Sequence, residues 1–322
     1  MNRILTMALA LTLGGCGMPS LLITPVANTS KLEEIEVDSG TSFASSKVAV
    51  IEVEGLLINA RSGGFLGPEE NKLSLFQQQM ERAAKDSSVR AVVLRINSPG
   101  GTVACSDTMY EIVRRFRAKT RKPVIASTQE VAASGGFYIA CASDQIVAHP
   151  SSVVGSIGVI FESFEFVGTM DKLGITSVTI KSGPMKDMAS PFRKMDPKAE
   201  AVIQGMIDED YVRFVEVVTA KTRITDPDRL KTITDGRVFS GQQAKELGLV
   251  DQLGMLDDAI ELARTTSGSP GAKVVMYKRP YGYSGSIYAS AATPAPQASV
   301  LKLELPEYAM PLPSGFYYLW RP

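Results

Sequence analysis

Three short apolar runs, Lys47 to Ile58, Val89 to Ile96 and Val124 to Ser127, are rich in β-branched residues and continuous rather than alternating. A strand with one wet face alternates polar and apolar residues, so continuous runs of this length predict strands buried on both faces. Between them, Leu73, Phe76, Met80, Ala83 and Ala84 recur at helical spacing, as do Met109, Ile112, Val113 and Phe116, with the charges on the opposite side. Strand, helix, strand, helix, strand is a parallel α/β layout.

The same reading continues with strands over Gln145 to Ala148, Ser152 to Ile160 and Ile175 to Ile180, and a long amphipathic helix marked by Ile207, Tyr211, Phe214, Val215 and Val218. After residue 265 the composition changes. Ser267-Gly268-Ser269-Pro270-Gly271, the stretch Ala291 to Pro296 and the aromatic-rich end Tyr308 to Pro322 predict an extended arm over 266–322 with little packed structure of its own. Its aromatic density suggests that it docks on its own or a neighbouring subunit.

The amino terminus reads as an address. Met1-Asn2-Arg3 precedes the apolar run Ile4 to Leu13, too short to span a bilayer, and then Gly14-Gly15-Cys16. Leu13-Gly14-Gly15-Cys16 resembles a bacterial lipobox, in which the cysteine thiol takes a diacylglyceryl group. On that resemblance residues 1–16 are a lipoprotein signal and 17–46, with Pro19, Pro25 and the polar stretch Ser39 to Ser46, a flexible tether. The remainder, 47–265, is then a catalytic domain outside the cytoplasm, on the periplasmic side of a bacterial envelope and anchored to a membrane through lipidated Cys16. An ordinary signal peptide with Cys16 a spectator is the alternative.

Charge and ligand counts narrow the chemistry. Lys plus Arg and Asp plus Glu both number 34, so no basic surface for a nucleic-acid backbone is implied. One histidine, His149, and three cysteines leave too few ligands for the usual zinc sites, and no cofactor is expected. Cys105 and Cys141 read either as a disulfide or as small core residues, the latter preferred.

Val131-Ala132-Ala133-Ser134-Gly135-Gly136-Phe137-Tyr138 places a serine between small residues at the start of a helix, after the strand Val124 to Ser127 and its turn. Such a junction exposes a hydroxyl and aims backbone N–H groups at it. Ser134 is therefore either a nucleophile or a plain helix cap. Gly135 and Gly136 would leave room for a peptide approaching the serine. Asn97-Ser98-Pro99-Gly100-Gly101 offers free N–H groups for an oxyanion, or is a tight turn that needs glycine. Lys181 and Lys186 read individually as surface charges. If Ser134 attacks, a base must exist. His149 is poorly placed before Pro150, whereas a lysine made neutral by burial can serve.

Taken together, Asn97-Ser98-Pro99-Gly100-Gly101, Ala133-Ser134-Gly135-Gly136 with Tyr138-Ile139-Ala140, Gly155-Ser156-Ile157-Gly158 with Lys181-Ser182-Gly183 and Lys186-Asp187, and Asp235-Gly236-Arg237-Val238-Phe239-Ser240-Gly241 resemble the signal peptide peptidase A family in order and spacing. The resemblance implies a serine endopeptidase on the caseinolytic protease/crotonase superhelix of parallel β-β-α units, with a helical carboxyl-terminal part. It implies Ser134 as nucleophile, Lys186 as general base, Ser156 as the residue orienting the lysine amine, and Gly101 and Gly135 as oxyanion-hole donors. Lys181 has no catalytic role in it. It further implies substrates that are released signal peptides and other small or unfolded peptides, with small or apolar side chains next to the cut, and a homo-oligomeric ring whose sites lie between subunits. A crotonase-type acyl-thioester enzyme or a silent lipoprotein scaffold are the rival readings.

Overall fold

The computed structural model describes residues 32–41, 44–62, 70–279 and 315–320. The lipobox Cys16 and the expected signal lie outside the described residues.

The central sheet is mostly parallel. Strands β1 (Glu33–Asp38) and β2 (Lys47–Glu54) are followed by the short pair β3 (Arg61–Ser62) and β4 (Glu70–Asn71), helix α1 (Lys72–Lys85) and strand β5 (Val89–Ser98). Then come β6 (Gly100–Thr102), α2 (Val103–Thr120), β7 (Val124–Ala133), α3 (Gly135–Ala140), β8 (Gln145–Ala148), β9 (Val153–Gly155) and β10 (Ile160–Glu162). Helices α4 (Val167–Lys172), α5 (Pro197–Thr222) and α6 (Pro227–Ile233) precede β11 (Val238–Ser240), α7 (Gly241–Glu246), β12 (Gln252–Leu253), α8 (Leu256–Thr266), β13 (Lys273–Lys278) and β14 (Gly315–Leu319). The main sheet runs β1-β13-β2-β5-β7-β8-β12, and β9 branches from β7 with β11 beside it.

Burial on both faces explains the continuous apolar runs. Val48, Val50, Ala91, Val93, Ile125 and Val147 pack with Leu256, Ala259, Ile260 and Ala263 of α8. The alternate residues Ala49, Ile51, Val92, Leu94, Ile96 and Ala126 belong to the other core, with Phe76 and Met80 of α1 and Met109, Val113 and Phe116 of α2. Each large side chain so buried contributes roughly 1.5–3 kcal/mol. The helices start where capping chemistry permits. Asn71, Thr102 and Asp196 accept from the first-turn amides of Ser74, Cys105 and Lys198, and Pro197 opens α5 with its preset φ.

Several segments differ from the sequence reading, among them Ser152 to Ile160, where the strand is confined to Val153–Gly155 and resumes only at Ile160. Strand β7 continues past Ser127 to Ala133, because its two halves pair with different strands, Ile125–Thr128 with β8 and Val131–Ala133 with β9. Ser134 thus follows the strand directly, with no intervening turn. Ile175 to Ile180 forms no strand; Val178 is 82% and Ile180 97% exposed, and no strand among the described residues pairs with this segment. Lys273–Lys278, within the stretch read as an arm, is an inner strand of the main sheet, parallel to β2 and antiparallel to β1. Glu33–Asp38, within the stretch read as a tether, is the edge strand beside it.

Candidate active site

Two loops shape the site. At the end of β5, the Ser98 hydroxyl donates to the Gly55 carbonyl (2.7 Å) and accepts from the Gly100 N–H (3.0 Å), while Asn97 Oδ1 accepts from Val131 N–H (3.1 Å). These bonds tie the Pro-Gly-Gly turn to β7 where its register shifts. Beyond the turn, β6 lies against Leu57, whose N–H donates to Gly100 O (2.8 Å) and whose carbonyl accepts from Thr102 N–H (2.9 Å). A Cβ on Gly101 would fall 1.9 Å from the Leu57 carbonyl oxygen, so only glycine fits.

Ser134 stands at the junction of β7 and α3 with φ 52° and ψ −115°, a conformation that costs a non-glycine residue about 1–3 kcal/mol. Its N–H donates to Gly155 O (2.7 Å) and its carbonyl accepts from Tyr138 N–H (2.8 Å). The residue is 1% exposed and its Oγ makes no hydrogen bond. A buried hydroxyl without a partner costs about 1–3 kcal/mol, which marks it as a group whose partner arrives from elsewhere. Gly135 follows, and its amide is among the first-turn N–H groups that have no acceptor within the helix. The close neighbours of Gly135 and Gly136 are scaffold, not approach space. A Cβ would meet Ser106 Oγ at 2.3 Å and the Ser98 carbonyl oxygen at 2.7 Å, respectively.

Ser156 sits one residue past β9, nearly buried, with φ 51° and its N–H on the Arg237 carbonyl (2.8 Å). The Ala133↔Gly155 register puts it beside Ser134 at the same end of two parallel strands. Ser134, Ser156, Gly101 and Gly135 are thus drawn to one end of the sheet.

Lys186 is not hydrogen-bonded to Ser134. It is exposed, in a turn where its N–H bonds the Gly183 carbonyl (3.2 Å), and Ser134 Oγ has no contact to it of hydrogen-bond length. Lys181 is occupied, donating to Asp187 (2.6 Å) and the Pro184 carbonyl (3.1 Å), and Arg193 joins the same carboxylate (3.0 Å). The Lys181 hydrogen bond, followed by the positive charge of Arg193, holds Asp187 below the usual carboxylate range. His149 ends at β8, half-buried, its Nδ1 accepting from Ser151 N–H (3.2 Å). Cys105 and Cys141 are buried and unpaired with one another.

Residues without an assigned role in the sequence reading close the site. β14 lies between β6 and β10, antiparallel to both. Its Tyr318 packs on Tyr138 and Phe214. Aromatic density was the available signal; the pairing partner was not readable from it.

Among comparisons with known proteins, the model of peptidase family S49 matches residues 116–270. A protein of Enterococcus faecium assigned as a signal peptide peptidase SppA is 34% identical over 250 residues, which cover 78% of this chain and 72% of that protein. Protease 4 of Salmonella typhi is 37% identical over 58% of this chain and 29% of its own length. The chloroplastic serine protease SPPA of Arabidopsis thaliana is 32% identical over 67% of this chain and 33% of its own length.

Proposed function

The chain belongs to peptidase family S49 and is a serine peptidase, and we propose that it is a membrane-attached endopeptidase in which Ser134 is the nucleophile and Lys186 the general base. The mostly parallel α/β sheet fits the caseinolytic protease/crotonase-like fold of that family. The observation that carries the reading is Ser134 itself: strained backbone, burial and an orphan hydroxyl at a strand-to-helix elbow.

In the proposed reaction neutral Lys186 accepts the Ser134 proton as Oγ bonds to the substrate carbonyl carbon, and the N–H groups of Gly101 and Gly135 stabilise the oxyanion. Collapse breaks the C–N bond, and Lys186 protonates the leaving amine. Water, deprotonated by Lys186, then releases the acid from the ester. Ser156 orients the lysine amine.

Lys186 lies on a segment whose apolar Val178 and Ile180 are uncovered in the single chain. This favours a homo-oligomer, a ring by resemblance, in which this segment of one copy reaches Ser134 of the next. A neighbour would supply the strand edge that Ile175 to Ile180 lacks. The proposed substrates are signal-peptide remnants and other unfolded peptides, matching the name of the Enterococcus relative. Lipidated Cys16 is the proposed anchor, with the catalytic domain on the periplasmic side; among the described residues no helix is long and apolar enough to cross a membrane.

The test is peptide cleavage by full-length Ser134→Ala, Lys186→Ala and the two co-expressed. Each variant alone should lose at least about 10³-fold in kcat/KM. Co-expression should restore activity at the roughly one-quarter of interfaces that a random mixture leaves intact on both sides. A Lys186→Ala enzyme that still cuts would place the base elsewhere. Two dead variants with no recovery on mixing would place the lysine in the same subunit as the serine.

A further inference from the structure

The segment Lys181-Ser182-Gly183-Pro184-Met185-Lys186-Asp187 carries more charge chemistry than the one lysine that the proposed reaction uses. Asp187 Oδ1 accepts from Lys181 Nζ (2.6 Å), six residues before it, and from Arg193 Nη1 (3.0 Å), six residues after it. The Lys181 ammonium also donates to the Pro184 carbonyl (3.1 Å). One carboxylate oxygen thus closes two consecutive loops of the chain. All three side chains are partly withdrawn from water, Asp187 the most at 14% exposure. Charge-assisted hydrogen bonds are stronger than neutral ones, and partial exclusion of water strengthens them further.

The backbone alone holds this stretch weakly. It belongs to no helix or strand. Its own main-chain bonds are short turns, from Lys186 N–H to Gly183 O (3.2 Å), Met188 N–H to Met185 O (3.1 Å) and Ser190 N–H to Asp187 O (3.0 Å). Turns of this kind offset little of the entropy lost in ordering each residue. Ala189, at φ 63°, adds strain. The far side is pinned to the chain that enters the segment: Phe166 N–H donates to the Pro191 carbonyl (2.7 Å) and Ser163 Oγ to the Ala189 carbonyl (3.3 Å). Lys186 lies between this pin and the Lys181 contact. It is exposed, whereas its neighbour Asp187 is largely covered.

We propose that Asp187 is the positioning residue for Lys186: with Lys181 and Arg193 it clamps the turn that carries the base, so that the lysine is presented in a fixed geometry before it meets Ser134 of another copy. A base acts only within hydrogen-bond reach of the proton it takes, and a misplacement of about 1 Å costs on the order of 10² in rate. The lysine stem is long and flexible, so the position of its Cα has to come from the turn beneath it. Successive Cα atoms are held at a fixed spacing, so clamping Asp187 also fixes the Cα of Lys186. Lys181, already engaged by Asp187 and Pro184, thereby gains a positioning role without touching the reacting atoms. The inference rests on the reading of Lys186 as a base supplied across subunits.

The test is peptide cleavage by co-expressed full-length chains, measured against the mixture of Ser134→Ala and Lys186→Ala. In one arrangement Asp187→Ala is added to the Ser134→Ala chain, which supplies the lysine. In the other it is added to the Lys186→Ala chain, which supplies the serine. The first arrangement should fall at least about tenfold below the reference in kcat with KM little changed, and Asp187→Glu in the same place should recover part of the loss. The second should stay within about twofold of the reference. A loss shared equally by the two arrangements would make Asp187 a residue of the general fold, and no loss in either would detach it from the base; both results overturn the proposal. A reference mixture with no activity would overturn the cross-subunit reading alone. The clamp would then be read in single chains, where a kcat lost in Asp187→Ala at constant KM and partly restored in Asp187→Glu supports it, and an unchanged kcat overturns it. A Lys186→Ala chain that cuts unaided would overturn the lysine as base and the clamp with it.

Discussion

Ser134 and Ser156 step off neighbouring parallel strands with the same positive φ, 52° and 51°, each one residue after the matched pair Ala133 and Gly155. The N–H of Ser134 on the Gly155 carbonyl locks the two turns together. Two hydroxyls at one sheet end suit the proposed division of labour, one attacking and the other holding the amine of the base. Ser156→Ala should lower kcat by roughly 10²-fold with the fold intact. An unchanged rate would remove Ser156 from the site.

Gly135 is confined by Ser106. Gly135→Ala sets a methyl 2.3 Å from Ser106 Oγ and 3.1 Å from Ser106 Cβ. We expect about 1–3 kcal/mol of destabilisation. Adding Ser106→Ala removes the nearest atom and should recover part of it. Urea denaturation of the single and double variants checks this; full additivity would mean that the two residues do not meet.

The thiols of Cys105 and Cys141 should be inert in the native state. Burial pushes Cys105 up to about 11 and Cys141 up to about 12, so the reactive thiolate is scarce near neutrality. Iodoacetamide at pH 8, followed by peptide mapping, should leave both unmodified until the protein is unfolded, with or without reductant. Modification of both only after reduction would show a disulfide.

Asp38 links β1 to α8. The Gly40 N–H first, and then Arg264 (2.7 Å), hold its carboxyl below the usual 3.8. A depressed acid stabilises the fold above its unfolded pKa and loses that contribution as pH falls through its folded value. Asp38→Asn should therefore lower the melting temperature at pH 7, and the difference should start to shrink below about pH 4 and vanish once the pH is below the depressed folded pKa. Asp38 is half exposed, so the effect should stay under about 1 kcal/mol. A difference that persisted at pH 2 would have another origin.

Much of this molecule is determined by the sequence alone, because the signals are local. Continuous apolar runs mark β2, β5 and β7, helical spacing marks α1, α2 and α5, and the residues around Ser134 and Gly101 announce an elbow and a tight turn before any coordinate is known. Periodicity of this kind depends only on residues within a few positions of one another. The tertiary structure decided what each element pairs with, since an edge is satisfied by whichever strand reaches it, however distant in sequence. Lys273–Lys278 reads as the start of an arm yet fills the gap between β1 and β2, and Ile175 to Ile180 reads as a strand yet pairs with no strand among the described residues. The aromatic end of the chain could be foreseen to dock. Only the folded sheet shows that it lies along Gly101 with the Tyr318 ring packed against both Tyr138 and Phe214, because that placement depends on two strands and a helix meeting from three distant parts of the sequence.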